Sequence, residues 1–521
     1  MGGNDNLKRI ILATVISFIF FVAYDYFVIQ PQMVASARLD QNRTQQQMEK
    51  RGASISQVEK SSSATSTPSA SFHSNGKIIG VITGKEFQLK IDQWGRIVSF
   101  KLTQHKFEEK GKQLELIAPN SPKPLEIRFK DPQLNREFYS TTAQISSPRV
   151  ELNGSPKEVT ITHKLKELTL VRKLKIYPDG HYEVKITLSK PVDYFISPGY
   201  RPDAVVDNLT IHGGELLLKD GKLRIVEDGE AEKERFKNVV AAAGFDRYYI
   251  TLLYDPQGAI SGLVIPDREG NPQIFLSTHG DLSLTGYIGP KYVDRLKAID
   301  PKLVELVQYG LGTFFARNLF LLLDWFHKIT GDWGLAIILL VIFVRILLFP
   351  LTWKGMVSMH RLKELAPKIK ELQERYKKDP ATLQKKMMEL YQKHNVNPLG
   401  GCLPLLLQIP VFYGIYKLLL YSIELKGAHF LWIKDLASMD PYFILPVLMG
   451  VTMYLHQKVT PTNFQDPMQE KVFKLLPIIF TFLMATFPAG LVLYWTVNNI
   501  LSLLQQLLIN RLLESKGAKN G

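Results

Sequence analysis

Five apolar stretches crowd the C-terminal part of the chain, at about 333–353, 401–423, 442–457, 472–489 and 490–509. Each is near the ~20 residues a helix needs to cross the hydrocarbon core of a bilayer. A sixth run, Ile10 to Val28, follows Lys8 and Arg9. Lipid offers no partner to a bare backbone N–H or C=O, so runs of this kind restrict the region to helices that satisfy their own hydrogen bonds. With 45% hydrophobic and 22% charged residues the chain is too apolar for disorder, and its one cysteine, Cys402, excludes an intrachain disulfide framework and any Cys-based structural zinc site.

The connecting charges set the orientation. Residues 354–398 carry eleven Lys/Arg against five Asp/Glu, whereas 424–441 carry two basic and three acidic residues. Basic loops stay in the cytoplasm, so the first loop is read as cytoplasmic and the second as external. The expected segments are a cytoplasmic N-terminus at 1–9, an anchor at 10–28, a flexible tether at 29–76 and an external β domain at 77–312. There follow an interfacial amphipathic helix at 313–331, spans at 332–353, 399–423, 442–457, 472–489 and 490–509, and a cytoplasmic tail at 510–521. The loops between spans are 354–398, 424–441 and 458–471, with a tight external turn at Phe487-Pro488-Ala489-Gly490. Ala35-Ser36-Ala37 resembles a cleavage site, but the first apolar run exceeds the ~7–15 residues of a signal peptide and is read as an uncleaved anchor.

Residues 77–312 change to period 2. Glu86–Ile91, Glu158–Leu165, Glu167–Ile176 and His181–Leu188 alternate apolar with polar residues between Gly, Pro, Asn and Asp turns, which predicts a large antiparallel β-sandwich. In 313–329, Phe314, Phe315, Leu319, Leu322, Leu323 and Phe326 share a helix with Arg317, Asp324, Trp325, His327 and Lys328, fitting either a membrane-surface helix or one packed on the sandwich. Residues 354–398 place Met359, Leu362, Leu365, Ile369 and Leu372 at helical spacing and restart after Asp379-Pro380, predicting a cytoplasmic two-helix hairpin of net charge +6. Its Lys363, Lys368, Lys370, Arg375, Lys377 and Lys378 form a candidate docking face for anionic lipid or ribosomal RNA; a plain solvated hairpin is the alternative.

No His-Glu-x-x-His, Gly-x-Ser-x-Gly or Walker loop occurs, so a non-enzymatic role without catalytic residue, metal or cofactor is expected. The informative residue is Arg345, about eight residues or ~12 Å along a helix from Trp353. An arginine at such depth costs from ~2.5 to more than 10 kcal/mol unless water or a partner is supplied. No acidic residue lies in the five apolar stretches, and Ile338, Val341, Ile342 and Phe349 around it are apolar. Polar partners must come from other helices: Gln408, Trp495, Thr496, Asn498 and Asn499. Arg345 either snorkels or caps carbonyls freed by Pro350, or it faces a hydrated groove open to the cytoplasm. Lys417, seven residues before Glu424, is read as snorkelling to the external interface.

These features carry a family resemblance. Gly331-Asp332-Trp333-Gly334, then Arg345 and Pro350, Asn397-Pro398-Leu399-Gly400-Gly401-Cys402, Gln408-Ile409-Pro410, Leu445-Pro446-Val447-Leu448-Met449-Gly450, Asp466-Pro467-Met468 and Phe487-Pro488-Ala489-Gly490-Leu491 resemble the YidC-type membrane protein insertases of Gram-negative bacteria. Val341 and Trp495 depart from the Thr and Tyr familiar there. The resemblance implies a polytopic inner-membrane protein of six spans with a five-helix insertase core, a periplasmic β-supersandwich, and a groove formed by Arg345, Gln408 and Trp495, to which Thr496 and Asn498 are added here. Nascent membrane proteins, the Sec translocon, the ribosome and membrane lipids are the expected partners, and no small-molecule substrate is expected. The competing expectations are a solute transporter using Arg345 as an anion site, disfavoured by the absence of paired halves, and a sugar-modifying enzyme in the external domain, for which fold analogy would be the sole warrant.

Overall fold

The computed structural model describes residues 76–108, 111–206, 210–308, 313–376, 379–394, 403–460 and 467–517. The expected anchor at 10–28, and the tether at 29–76 apart from Gly76, lie outside the described residues. The described chain divides into two compact units, one within Thr67–Lys363 and Leu399–Gly521, the other containing Glu364–Pro398.

Alternation in the sequence becomes strand structure. In His181–Leu188 the residues Tyr182, Val184, Ile186 and Leu188 are buried and the residues between them are not. A four-stranded sheet runs Ile97–Leu102, Phe87–Asp92, Ile78–Thr83, Arg149–Glu151, the last pair parallel. The larger sheet has 13 strands, joined antiparallel. Its main path is Ile127–Phe129, Asp193–Ile196, Pro272–His279, Ile260–Pro266, Glu234–Phe245, Tyr249–Tyr254, Leu282–Pro290, His181–Leu188, Thr169–Ile176, Lys157–Lys164 and Gln144–Ile145. The hairpin Gly213–Leu218 with Leu223–Glu227 attaches to Glu234–Phe245.

Tyr249–Tyr254 is buried at every position. Period 2 explains why: Leu253 joins a core shared with Phe87, Phe100 and Tyr182, while Leu252 faces a second core with Leu340, Leu418 and Tyr494 of the helical region. One sheet therefore serves two apolar layers, and the amphipathic pattern is lost where both faces are covered. The first core also encloses charges. Arg96 pairs with Asp92 at 2.7 Å and Glu126 at 3.3 Å, and Arg128 pairs with Glu126 at 2.6 Å, every side chain being at most 6% exposed.

The helices, in chain order, are α1 (Pro132–Ser140), α2 (Val293–Ile299), α3 (Thr313–Thr330), α4 (Trp333–Glu364), α5 (Ala366–Arg375), α6 (Pro380–Lys393), α7 (Leu403–Tyr421), α8 (Ile444–Val459), α9 (Pro467–Met484) and α10 (Ala489–Gly517). The break between α3 and α4 is chemical. Gly331 adopts φ 69°, a left-handed stop, and Asp332 accepts from the Leu335 N–H at 2.8 Å as the cap of α4. On α3, Ala316, Phe320 and Leu323 are buried while Leu321, Trp325 and Ile329 are exposed.

Helix α4 continues through Pro350 to Glu364, past the span boundary expected at residue 353. By length and composition, Trp333–Ser358 and Ala489–Leu512 are the described helices able to cross a membrane; Val411–Tyr421 is a shorter apolar helix. Helix α8 has 16 residues, or ~24 Å at 1.5 Å per residue. It packs against α9 and α10. Gly450 permits the α8–α9 approach, because a Cβ there would fall 1.9 Å from the Thr481 hydroxyl oxygen. The turn at Phe487-Pro488 is held by the preceding loop: the Ala489 N–H donates to the Ser438 carbonyl at 2.7 Å and the Gly490 N–H to Leu436 at 2.9 Å.

In the other unit, α5 and α6 pack against each other. Asp379 caps α6 by accepting from the Thr382 N–H at 3.1 Å. Lys368, Lys370 and Arg375 are exposed.

Candidate functional site

Helices α4, α7 and α10 build a cleft around Arg345. Its lining is Val341, Val344, Leu348 and Thr352 of α4, Val411 of α7, and Tyr494 and Asn498 of α10. The Arg345 Nε donates to Asn498 Oδ1 at 3.0 Å, and Nη2 donates to the Asn498 backbone carbonyl at 3.2 Å and to the Ser502 hydroxyl. Ser502 in turn donates to the same carbonyl at 2.7 Å. The side chain is held from one edge by a neutral amide, a carbonyl and a hydroxyl.

Among the described residues no carboxylate pairs with Arg345, and Nη1 makes no hydrogen bond. A guanidinium offers five N–H donors in a planar fork suited to a carboxylate. With mostly apolar walls, its charge is weakly screened and attracts an anion more strongly than a solvated arginine would. What the arrangement can do chemically is pair reversibly with a negative charge. Among the described residues no group of three His, Cys, Asp or Glu side chains is placed to hold a metal.

The candidates named from the sequence fall in different places. Arg345 and Asn498 meet. Trp495 packs edge-on to Phe412 of α7 at 4.7 Å and against Phe480 of α9 at 5.5 Å. Thr496 donates to its own helix at Val492, 2.7 Å, and lies 3.5 Å from the Leu445 carbonyl of α8, near which Asn499 also points, toward the Met449 carbonyl at 3.5 Å. Gln408 lies on α7, one turn before Val411, and its side chain is outside the described residues. Lys363 lies in the last turn of α4 with its side chain likewise outside them, as are Lys377 and Lys378 altogether.

Sequence reading missed Ser502 and the pair below it, where Gln505 donates to the Thr352 hydroxyl at 2.7 Å. The signal was available as spacing: Asn498, Ser502 and Gln505 stand at i, i+4 and i+7 on one stripe of α10. Thr496 and Asn499 form a second stripe turned toward α8. Lys417, expected to snorkel, has its Nζ 5.4 to 5.8 Å from the rings of Tyr413, Tyr416 and Tyr421.

Residues 325–516, which contain the whole cleft, match the family model described as 60Kd inner membrane protein. That places the helical region in a class of inner-membrane proteins. Over 522 residues the chain is 46% identical to the membrane protein insertase YidC of Campylobacter jejuni, covering 98% of each. It is 47% identical over 515 residues to that of Wolinella succinogenes, covering 98% of this chain and 95% of the relative. The chain belongs to the YidC family of membrane protein insertases. A crystal structure of an active YidC insertase with its first transmembrane domain resolved is also similar, at 20% identity and a TM-score of 0.36, covering 83% of this chain and 94% of that one.

Proposed function

We propose that this chain inserts nascent membrane proteins through the Arg345 cleft, working alone or beside the Sec translocon. The observation that carries the reading is the Arg345 guanidinium, held on one edge by Asn498 and Ser502 and without a carboxylate partner among the described residues. In this account the six expected spans keep both chain ends in the cytoplasm and the β domain in the periplasm. The basic α5–α6 hairpin meets the ribosome or anionic lipid, and the client's hydrophilic flank enters the cleft from the cytoplasm. Arg345, with Gln408, Trp495, Thr496 and Asn498 around the path, attracts acidic residues of that flank and shortens the desolvated distance left to cross. Moving a negative charge outward through an inside-negative potential releases about 2.3 kcal/mol per 100 mV. The 16-residue α8 is shorter than the hydrocarbon layer and lowers the remaining barrier by thinning the bilayer beside it.

The test is photocrosslinking from position 408 or 495 to a ribosome-bound nascent membrane protein. Adducts that depend on the client's membrane segment are expected. Their absence, together with uptake of a small anion by the purified chain in liposomes, would overturn insertion in favour of solute transport.

A further inference from the structure

The loop between α7 and α8 has an apolar inner side. Phe430, Ile433 and Leu436 are buried in the cluster that fills the helical region. A Cβ on Gly334 of α4 would fall 2.2 Å from the Phe430 ring. One buried carboxylate, Asp440, ties the two turns of the loop together. It accepts from Trp432 Nε1 at 3.1 Å, from the Tyr442 N–H at 3.1 Å and from the Leu445 N–H of α8 at 2.7 Å.

Each turn holds one large apolar residue in the left-handed region. Phe430 and Ile433 exchange backbone bonds at 2.8 and 2.9 Å, so Leu431, at φ 51°, is the first central residue of a two-residue hairpin turn. Phe443, the N-cap residue of α8, has φ 57° and donates its N–H to the Asp440 carbonyl at 3.2 Å. Glycine is usual at the first of these positions, and an N-cap residue is ordinarily extended. A bulky residue at positive φ is strained. Strain of this kind persists only where the surrounding structure over-determines it, and it gathers at functional sites.

A third left-handed apolar residue, Leu125, is 1% exposed, so packing in the β-domain core accounts for it. Leu431 is 63% exposed and Phe443 49%. With Met439 and Tyr442, also exposed, they put four uncharged side chains on the outside of one rigid loop. In water that exposure would bring no return for the strain.

Helix α8 indicates what covers them. The Val447 N–H donates to the Phe443 carbonyl at 3.2 Å, so Phe443 begins a stripe that Val447, Val451 and Leu455 continue, all of them exposed. On a membrane span such a stripe meets acyl chains. Rings with a polar tip, such as Tyr442, settle at headgroup level. We propose that Leu431, Met439, Tyr442 and Phe443 form an interfacial foot, seated among the glycerol and upper acyl groups of outer-leaflet phospholipid, which fixes the depth of the outer end of α8. The foot rests on the reading of α8 as a span.

The experiment uses the full chain in vesicles of phosphatidylethanolamine and phosphatidylglycerol. Cys402, the one cysteine of the sequence, is replaced by serine. A nitroxide is then attached in turn through Leu431→Cys, Phe443→Cys, Lys434→Cys and Val451→Cys. Collision with oxygen, which concentrates in lipid, is compared with collision with a water-soluble nickel chelate. Labels at 431 and 443 should show an oxygen-to-nickel ratio severalfold above that at the exposed position 434 and below that at 451. Leu431→Gly combined with Phe443→Gly removes both side chains and relaxes both backbones. In that variant a label at Val447→Cys should lose oxygen collisions and gain nickel collisions, which decides the matter if labels at 431 or 443 disturb the fold. A water-like ratio at 431 and 443, shielding from both reagents as at a protein contact, or an unmoved label at 447 would overturn the foot. A water-like ratio at 451 would instead remove the reading of α8 as a span, and the foot with it.

Discussion

Arg345 and Asn498 meet twice, through Nε to the side-chain oxygen at 3.0 Å and through Nη2 to the backbone carbonyl at 3.2 Å. The double contact joins α4 to α10 and fixes the plane of the guanidinium. A charge merely floating in the cleft would leave its orientation undefined.

Arg345→Lys tests orientation apart from charge. Lysine keeps the positive charge and loses the planar fork. Insertion of a client with an acidic external flank should fall between the wild-type and Arg345→Ala levels in a proteoliposome assay. Wild-type activity in the lysine variant would show that orientation is irrelevant.

Asn498→Leu and Asn499→Leu separate the two stripes of α10. The first removes the Arg345 acceptor and should cost about 1.5–3 kcal/mol, the range for hydrogen bonds to charged groups, while weakening the preference for acidic clients. The second touches α8 and should alter thermal stability without changing that preference. Equal effects on client preference would contradict the assignment of the stripes.

In the β domain, Asp92→Ala leaves Arg96 buried with Glu126 as its remaining ion-pair partner. Breaking a buried pair in this way costs about 3–5 kcal/mol. Denaturant unfolding followed by the β-sheet circular dichroism of the full chain should show the loss, and a shift below 1 kcal/mol would mean that water reaches the cluster.

Glu215 should give the fold a pH slope. It is fully buried with neither oxygen hydrogen-bonded, and burial pushes it up to about 8 from 4.5 despite the attraction of Lys291. The folded state binds this proton more tightly, so the contribution of Glu215 to stability is full below 4.5 and is lost as pH rises toward 8. Burial lowers the Lys291 pKa, which adds a rise at higher pH. Melting temperatures from pH 5 to 8 should fall less steeply in Glu215→Gln than in the wild type; identical slopes would contradict the argument.

The sequence made some of this visible and hid the rest for physical reasons. Alternation at His181–Leu188 marked a half-buried strand, but Tyr249–Tyr254, apolar on both faces, carries no period from which its central position could be read. Arg345 stood out because an arginine in an apolar run is costly wherever it lies. Its partner Ser502 did not, because a serine in a helix is common and only the packing of α4 on α10 gives it a charge to bind. Trp495 is named for the groove from its span and from the family resemblance; one residue of helix turns a side chain by about 100°, and its ring lies between Phe412 and Phe480, a packing that no local pattern announced. Arg247 donates to the Leu420 carbonyl across 173 positions of sequence, so that contact had no local signal.

The most direct test of the central claim is a client series identical except for zero, one or two acidic residues in the translocated flank, inserted by wild-type and Arg345→Ala chains in vesicles with an imposed inside-negative potential. The account predicts that the substitution slows the acidic clients severalfold and leaves the neutral one nearly unchanged. Equal slowing across the series would contradict it and make Arg345 a structural tie between α4 and α10.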